Sequence, residues 1–529
     1  MEWDGKWKVE TQKTDYGYSM MFVIPLSTIT YAKSDWGIRV ERFISEKGEL
    51  QVVCNTGSFQ ALDGIASIEI DFNKIGDVLS QAGRRSFELL PSFYVRGFRK
   101  NASSSSATYS IMYGGNIRIK KQNAMVFDLA IHPDFSDIEA DIQEISISRK
   151  PIYYPEKRPF FMEGRDLLVT PVNLLRTRNF ENVVMGLKFY TKSKKYSSIL
   201  YVVRDEVFDT ISFGKVNYSP AKGYNVGIQY IFQPASYKFL SSDFTFPLYK
   251  RKNMGARFQF SRRFDSTSSL VYGEIYRRSE FTGLNAHVSF THIDKKFLTP
   301  LATLYFDDVN EIMLNVDYGI SAGGGISIKP SVFFYLDRSS STDTMIDKYF
   351  SASLLFTKGR FSFTLMHQKE DMPYLPYDIP QKDFRFSGAS LVYSSSSYEN
   401  LEVDYLKGKY LGSSADIKSV KLKLNPFGVL NIGVKFDDYS YDRESGLSSE
   451  RLLQVFGIVS AKRLHLVLKP YAGYRFTEDE KSLFTKNIVY LSISENLGLY
   501  GVFQLNHIKT GAQNTINDSE HTIKFVYNF

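Results

Sequence analysis

The sequence lacks any run of about eighteen or more apolar residues, so it contains no candidate for a transmembrane helix. The first ten residues also lack the apolar segment of a secretory signal. A fragment, a processed form or a displaced start codon would each explain a missing signal. Cys54 is the only cysteine, so no disulfide can form within the chain and cysteine usage does not indicate a redox compartment.

Several common functional motifs are missing as well. The chain has no phosphate-binding G-x-x-x-x-G-K-[ST], no zinc-binding H-E-x-x-H and no nucleophile-bearing G-x-S-x-G. Its formal net charge is +8, but lysine and arginine are scattered singly and form no basic cluster within a nucleic-acid-binding module. We therefore expect no nucleic-acid partner, and anionic headgroups or acidic solutes remain as candidate ligands.

What the chain has in abundance is aromatic residues in alternating patterns. Phe, Trp and Tyr make up 15% of the chain, whereas the mean hydropathy is only -0.23. Between Leu464 and Phe476 the residues of one parity are mostly apolar, and those of the other include His465, Lys469 and Arg475. Such a period of two places the two sets on opposite faces of a strand, as expected when one face meets lipid and the other water.

Segments of this kind run for roughly 9 to 12 residues between turn-forming clusters, which is the length of a tilted strand crossing a bilayer. From about Ser86 to Phe529 their spacing predicts 20 to 26 strands. The fold class is therefore all-β: a large antiparallel transmembrane β-barrel in the bacterial outer membrane, in contact with lipid and lipopolysaccharide. A soluble sandwich, β-helix or propeller also alternates, but no fixed-period repeat is present.

The last strand resembles the C-terminal signal that the barrel-assembly machinery recognises. It ends in alternating aromatic residues, which are the predicted assembly signal: Phe525, Tyr527 and Phe529. At the other end, residues 1–45 are predicted to be a remnant of a small β module, and residues 46–529 the barrel. One insertion interrupts the barrel at residues 132–182, where alternation stops.

The insertion carries two dense motifs. A structureless segment of this length is usually functional. The first motif is acidic and contains Pro133, Asp134, Phe135, Asp137, Glu139 and Asp141. The second contains Tyr154, Pro155, Glu156, Lys157, Arg158, Pro159, Phe160, Phe161, Glu163 and Gly164.

Both motifs resemble the signature of a bacterial family of unknown function, in which a module similar to family-9 carbohydrate-binding domains precedes an outer-membrane barrel. That family reads N-P-D-F-x-x-V-E-A-D and then F-F-P-E-K-R-P-F-F-x-E-G. His132 replaces the usual Asn, and Tyr153 and Tyr154 replace the first Phe pair. The resemblance implies that residues 1–45 are a truncated carbohydrate-binding-like module, and a glycan or envelope-protein partner is suggested by this resemblance alone.

The second motif has a structural and a catalytic interpretation. Two prolines stiffen the segment, two phenylalanines can anchor it, and its two acids and two bases compensate each other. These features favour a plug folded into the lumen or the mouth of the barrel. The alternative is that Glu156 and Glu163 form the carboxylate pair of a carbohydrate-active hydrolase.

The first motif also has two interpretations. Asp134, Asp137, Glu139 and Asp141 supply the hard oxygen ligands that Ca²⁺ prefers. Their spacing lacks the glycine and the terminal glutamate of an EF-hand, so a solvated or arginine-paired acidic stretch is the commoner outcome. We expect no cofactor, with Ca²⁺ as the alternative.

Three functions follow from these patterns. The first is a non-enzymatic, plugged outer-membrane barrel that acts in transport or in an envelope complex. The second is an outer-membrane carbohydrate-active enzyme that uses Glu156 and Glu163. The third is a soluble β-rich adhesin. The sequence does not identify the transported or bound molecule.

Overall fold

The computed structural model describes the barrel, the second half of the insertion and two N-terminal hairpins. The described residues are 8–14, 17–23, 39–44, 49–54, 87–101, 108–121, 125–133, 156–180, 182–193, 195–221, 223–234, 236–249, 253–279, 282–298, 301–302, 307–372, 382–395, 399–410, 413–425, 430–443, 446–461, 464–477, 480–494, 497–510 and 514–528.

Almost every described element is a strand, as the period of two predicts. The strands are β1 Lys8–Thr14, β2 Gly17–Val23, β3 Arg39–Ile44, β4 Glu49–Cys54, β5 Phe87–Asn101, β6 Thr108–Lys121, β7 Met125–Ile131, β8 Val183–Lys192, β9 Tyr196–Asp205, β10 Asp209–Tyr218, β11 Asn225–Gln233, β12 Tyr237–Tyr249, β13 Met254–Arg263, β14 Ser268–Arg277, β15 Gly283–Ile293, β16 Val309–Ser321, β17 Ile326–Ser339, β18 Met345–Lys358, β19 Phe361–Met372, β20 Lys382–Ser394, β21 Asn400–Tyr410, β22 Ser413–Leu424, β23 Leu430–Arg443, β24 Gly446–Ala461, β25 Leu466–Phe476, β26 Glu480–Ser492, β27 Leu497–Thr510 and β28 Asn514–Asn528.

Strands β5 to β28 form one closed antiparallel barrel of 24 strands. Each strand pairs with its sequence neighbours, and β28 closes the barrel on β5, with Ser519 opposite Asn101 and Asn528 opposite Ser92. The predicted range of 20 to 26 strands is therefore confirmed. Closure leaves no open sheet edge between the first and last barrel strands, as a structure that crosses lipid requires.

The two N-terminal hairpins are separate two-stranded sheets, β1 with β2 and β3 with β4. In β3 and β4, Arg39 lies opposite Cys54 and Ile44 opposite Glu49. Within the described ranges the barrel strands begin at Phe87. The domain boundary near residue 46 stays a prediction.

The two faces of the barrel wall differ in chemistry. On β13, Phe258 and Phe260 are about half exposed, whereas Gln259 and Ser261 between and beside them are buried. The same alternation continues on β14, where Val271 and Ile275 are exposed. Apolar side chains thus point outward along the wall and polar ones face the lumen, which is the arrangement of an outer-membrane barrel. The soluble adhesin alternative is therefore wrong.

Helices contribute little to the part of the chain that the structure describes. None of them has the length and apolar character needed to cross a membrane. The helix Pro159–Met162, named α1, and 3-10 turns at Arg165–Leu168 and Thr177–Asn179 all belong to the insertion.

The connections of an antiparallel barrel alternate between two rims. The insertion joins β7 to β8, and the long connection between β15 and β16, residues 294–308, lies on the same rim. We call this the long-loop rim and the opposite one the short-turn rim. In bacterial outer-membrane barrels the longer loops are extracellular, so the long-loop rim is the extracellular one.

Candidate functional site

The described half of the insertion, residues 156–180, passes down the lumen and returns. Asp166 Oδ2 lies 3.4 Å from the Lys192 amine, and Leu167 accepts a hydrogen bond from Asn217, both close to the short-turn rim. Further on, the Arg176 amide donates to Leu301 in the long-loop connection. The insertion therefore reaches nearly the full depth of the wall.

The descent turns at Gly164, the last residue of the second motif. Its φ of +79° lies in the left-handed region that glycine tolerates best. A Cβ there would also stand 3.0 Å from Ile199 Cδ1 on β9. Pro159 begins α1, the position at which proline's missing N–H costs nothing. The motif thus encodes a short helix followed by a sharp turn against the wall.

Glu156 and Arg158 tie the two arms of the insertion together. Glu156 Oε2 lies 2.7 Å from Arg158 Nη2, and both side chains are almost fully buried. Arg158 also donates to the carbonyls of Thr177 and Phe180 on the returning arm, and the Thr177 hydroxyl donates to Glu156. The pair therefore fixes where the chain leaves the lumen.

Burial of the Glu156 carboxylate opposes its ionisation and would raise its pKa. The hydrogen bonds and the positive charge of Arg158 outweigh this effect, so the pKa of Glu156 lies below its ordinary value. Glu156 is therefore ionised at neutral pH, as a partner of a buried guanidinium should be.

Phe160 and Phe161 pack into an apolar cluster shared with the barrel wall. Phe161 stacks on Tyr201 of β9 and on Phe180, with ring centroids 6.0 and 5.9 Å apart. Tyr201 in turn stacks on Phe213 of β10 at 4.8 Å. The cluster continues through further lumen-facing residues of the wall and through the insertion: Ile199, Val203, Ile211, Ile231, Leu167, Leu168, Val172 and Leu174.

This sector of the lumen is unusual because its wall carries a cluster of apolar side chains on the inner face. Ile211 and Phe213 have no exposed surface, and Tyr201 has none either. In an ordinary barrel the lumen-facing positions are polar and hydrated. Here the insertion supplies the other half of a packed core.

Polar wall side chains bind the backbone of the insertion at successive depths. Lys188 of β8 donates to the Phe160 carbonyl at 2.8 Å, and Lys215 of β10 donates to the Val169 carbonyl at 2.6 Å. Gln259 of β13 makes two hydrogen bonds to Val172, one with the amide and one with the carbonyl. These contacts satisfy backbone groups that the apolar cluster would otherwise bury unpaired.

A charged network holds Glu163 against β6, β7 and β8. Arg118 lies 2.9 Å from Glu163 and 2.6 Å from Asp128, and Lys188 lies 3.5 Å from Asp128. Tyr190 donates to Glu163 at 2.7 Å. Burial opposes ionisation of Glu163, but the charges of Arg118 and Lys188 and the Tyr190 hydroxyl lower its pKa below the ordinary value.

Several predicted site residues fall outside the described residues: Asp134, Phe135, Asp137, Glu139, Asp141, Tyr154, Pro155 and Phe529. Pro133 follows His132, whose amide donates to the Val184 carbonyl at the long-loop rim. Phe525 and Tyr527 lie exposed on the outer face of β28. Among the described side chains no group of three or more His, Cys, Asp or Glu could hold a metal ion.

The sequence did not single out the wall residues that bind the insertion. Arg118, Asp128 and Lys188 are charged residues on lumen-facing positions, but many other strands carry such residues. Gln259 is 87 residues away from its partner Val172. Only the inward position of a charged or amide side chain could have signalled a role, and that signal is common to most strands.

A closed barrel with apolar side chains outside and a chain segment packed inside defines the class of this protein. It is a β-barrel protein of the bacterial outer membrane.

Residues 87–199 match a family described as a domain of unknown function, DUF5916. The match spans β5 to β7, the insertion, β8 and the start of β9, and so includes both motifs. A search of curated proteins gives no match.

Among solved structures the chain is similar to several barrels at low identity. Acinetobacter baumannii OccAB4 is 9% identical with a TM-score of 0.30, over 84% of this chain and 99% of that chain. Pseudomonas aeruginosa OccK11 is 10% identical with a TM-score of 0.32, over 84% and 98%. The P. aeruginosa outer membrane protein OpdK is 8% identical with a TM-score of 0.29, over 84% and 99%. Similarity at this level does not carry a substrate from one protein to another.

Proposed function

We propose that this protein is a non-enzymatic barrel that transports solutes across the outer membrane, and that its insertion is a fixed plug that narrows the lumen. The observation that carries the proposal is the buried apolar cluster formed by Phe160 and Phe161 of the insertion with Tyr201 and Phe213 of the wall.

The apolar wall supports a fixed plug rather than a removable one. Withdrawal of the insertion would hydrate the inner faces of β9 and β10, and each large apolar side chain exposed costs about 1.5–3 kcal/mol. Ile199, Tyr201, Val203, Ile211 and Phe213 are all buried. Removal of the insertion by a conformational change would therefore be strongly unfavourable.

The width of the barrel supports a narrowed passage. Barrels of 16 to 18 strands already leave an aqueous channel, and this one has 24. Among the described residues, the wall contacts of residues 156–180 include Arg118 on β6, Gln259 on β13 and the connection after β15. We place the passage beside the plug, along the remaining wall.

A planar-bilayer recording tests this proposal. The variant replaces residues 156–180 with a flexible linker and carries Tyr201→Ser and Phe213→Ser, so that the emptied wall is not apolar. The control keeps the insertion and carries Arg165→Ser and Asp166→Ser at exposed positions. Heat-modifiable migration in gels confirms that all three barrels are folded.

We expect the full chain and the control to conduct with a small unitary conductance, and the variant to conduct severalfold more. A full chain that already conducts like an empty wide pore would contradict the plug. Silence in all three folded proteins would contradict transport.

The enzyme alternative receives no support from the two carboxylates. Glu156 is held by Arg158 and Glu163 by Arg118, and the pKa of each is lowered. A glycosidase needs one carboxylic acid with a raised pKa as proton donor. If Glu156→Gln or Glu163→Gln abolished turnover of a glycan in a folded barrel, the enzyme alternative would be correct.

A further inference from the structure

Three cations lie side by side on the outer face of the wall, near the long-loop rim. Lys369 of β19 lies directly opposite Arg385 of β20, and Arg385 lies directly opposite Lys409 of β21. We call these three residues the cation row. They share the outward parity of their strands with exposed apolar residues: Leu365 on β19, Leu391 on β20 and Val403 on β21. The cation row therefore faces away from the lumen.

Two more lysines extend the charged surface beside the cation row. Lys407 lies two residues from Lys409 on β21, and Lys418 lies on β22. Both are exposed and point outward. Asp438 of β23, opposite Lys418, pairs with Arg451 of β24 at 2.9 Å. Five cations therefore share the outer face of four adjacent strands, β19 to β22.

Acidic residues also occupy outward positions on these four strands. Asp371 lies 2.8 Å from Lys369, and its cross-strand partner is Asp383. Asp416 of β22 accepts a hydrogen bond from the Tyr405 hydroxyl at 3.5 Å. Asp371 and Asp383 both lie nearer the long-loop rim than the cation row. The row itself, from β19 to β21, consists of cations alone.

The members of the cation row repel one another. Cross-strand partners have Cβ atoms about 5 Å apart, and like charges at this spacing destabilise a sheet. Among the described residues, no carboxylate forms an ion pair with Arg385 or Lys409. An anion bound across the row would bridge the cations and turn repulsion into attraction.

The surface below the cation row is apolar. One complete cross-strand row consists of exposed apolar side chains: Phe363, Leu391, Val403 and Val420. Leu365 and Leu401 are exposed beside it. A ligand that covers both surfaces must carry anionic groups at one end and acyl chains at the other.

A polar row separates the cations from the apolar surface. His367 lies opposite Ser387, and Ser387 lies opposite Lys407. The His367 Nδ1 lies 2.8 Å from the Ser387 Oγ. Hydroxyl and ring nitrogen groups at this level suit the sugar that joins phosphate to acyl chain in a glycolipid.

We infer that the cation row is a binding site for lipopolysaccharide, with the lipid phosphates on Lys369, Arg385 and Lys409 and the acyl chains on the apolar surface below. The long-loop rim is the extracellular one, so the row meets the outer leaflet. Arginine offers paired N–H donors to phosphate oxygens, and lysine adds a compact charge. The inference concerns the outer face of the barrel and does not depend on what the lumen conducts.

Binding of lipid A, the phosphorylated and acylated anchor of lipopolysaccharide, tests the inference. Lipid A is titrated into the full chain in detergent, and native mass spectrometry measures the bound fraction. Arg385→Gln with Lys409→Gln removes two members of the cation row. We expect the Kd to rise about tenfold or more, because two charge-assisted contacts to phosphate are lost.

The matched control is Lys238→Gln with Arg262→Gln. These residues are a lysine and an arginine at outward positions near the same rim, but neither lies opposite a cation. Lys238 lies opposite Phe232, and Arg262 lies opposite Leu240 and Ser269. We expect the control to change the Kd by less than about twofold. Heat-modifiable migration in gels confirms that the three barrels are folded.

Equal binding by the cation-row variant and the control would overturn the inference. If the double variant does not fold, Arg385→Gln is compared with Arg262→Gln, and the same criterion applies.

Two further probes identify the source of the phosphate. Dephosphorylated lipid A should bind much more weakly than lipid A, and equal binding would overturn the inference. Inorganic phosphate at the same phosphate concentration should not displace lipid A. If it did, the site would take free phosphate, and the assignment to lipopolysaccharide would be wrong.

Discussion

At the scale of single residues, the charged side chains of the second motif form ion pairs that hold the insertion in place. Glu156 and Arg158 neutralise each other while holding both arms of the insertion, and Glu163 reaches Arg118 on the wall. Phe160 and Phe161 then pack against the wall at the depth that this charged frame sets. The second motif thus anchors the insertion to the barrel wall, and it ends in the turn at Gly164.

Replacement of the buried acid tests this anchoring. Glu156→Gln leaves Arg158 buried without its charge partner, so we expect a loss of about 3–5 kcal/mol in the free energy of unfolding at pH 7. Urea unfolding in detergent micelles, followed by circular dichroism, measures it. Asp166→Asn removes a half-exposed partner of Lys192 and should cost about 1 kcal/mol or less.

The difference in unfolding free energy between the native chain and Glu156→Gln should depend on pH. Because the pKa of Glu156 is lowered in the folded state, its stabilisation is complete above the ordinary glutamate pKa of about 4.3 and is lost as the pH falls through the lower, folded value. The difference between the native chain and Glu156→Gln should therefore shrink on acidification below about pH 4. An equal difference at pH 7 and pH 3 would contradict the ionised pair.

At the scale of elements, the sequence predicts the strands. It does not predict the contacts between the wall strands and the insertion. The end of alternation at Ile131 and its return at Val183 coincide with the end of β7 and the start of β8. A period of two is a local property that each strand carries by itself. The partners of Lys215 and Gln259 depend on the path of the insertion through the lumen, and no local pattern encodes that path.

The contact between α1 and β8 requires that residue 186 of β8 is a glycine. A Cβ added at Gly186 would stand 2.7 Å from Phe160 Cζ, so the Phe160 ring occupies the space that this glycine leaves. Gly186→Ala should therefore displace Phe160 and destabilise the barrel by about 1–3 kcal/mol, measured from the urea midpoint.

The control for this substitution lies on β14. A Cβ at Gly273 would meet Phe258 at an ordinary 3.5 Å, so Gly273→Ala should be nearly neutral. Phe160→Leu added to Gly186→Ala should restore part of the lost stability. If Gly186→Ala proved as neutral as Gly273→Ala, Phe160 would not occupy this site.

At the scale of the whole molecule, the lumen is divided into two sectors of different chemistry. Around β8 to β15 the inner wall carries, beside polar residues, a cluster of apolar side chains that packs against the insertion, as Phe213 and Leu270 illustrate. Around β22 to β28 the lumen-facing positions include lysines such as Lys421 and Lys486. A range of strand numbers and the existence of the insertion followed from the sequence, but this division did not, because it depends on which strands the insertion contacts.

Cross-linking tests the central claim, that the insertion packs against the inner face of the barrel wall. In a Cys54→Ser chain, Val172→Cys is combined with Gln259→Cys on the inner face or with Phe258→Cys, the adjacent residue on the outer face. Folded protein in membranes is treated with a short bifunctional thiol reagent and analysed by gel mobility. We expect a cross-link from residue 172 to residue 259 and none to residue 258. A cross-link to residue 258, or none to residue 259, would contradict the account.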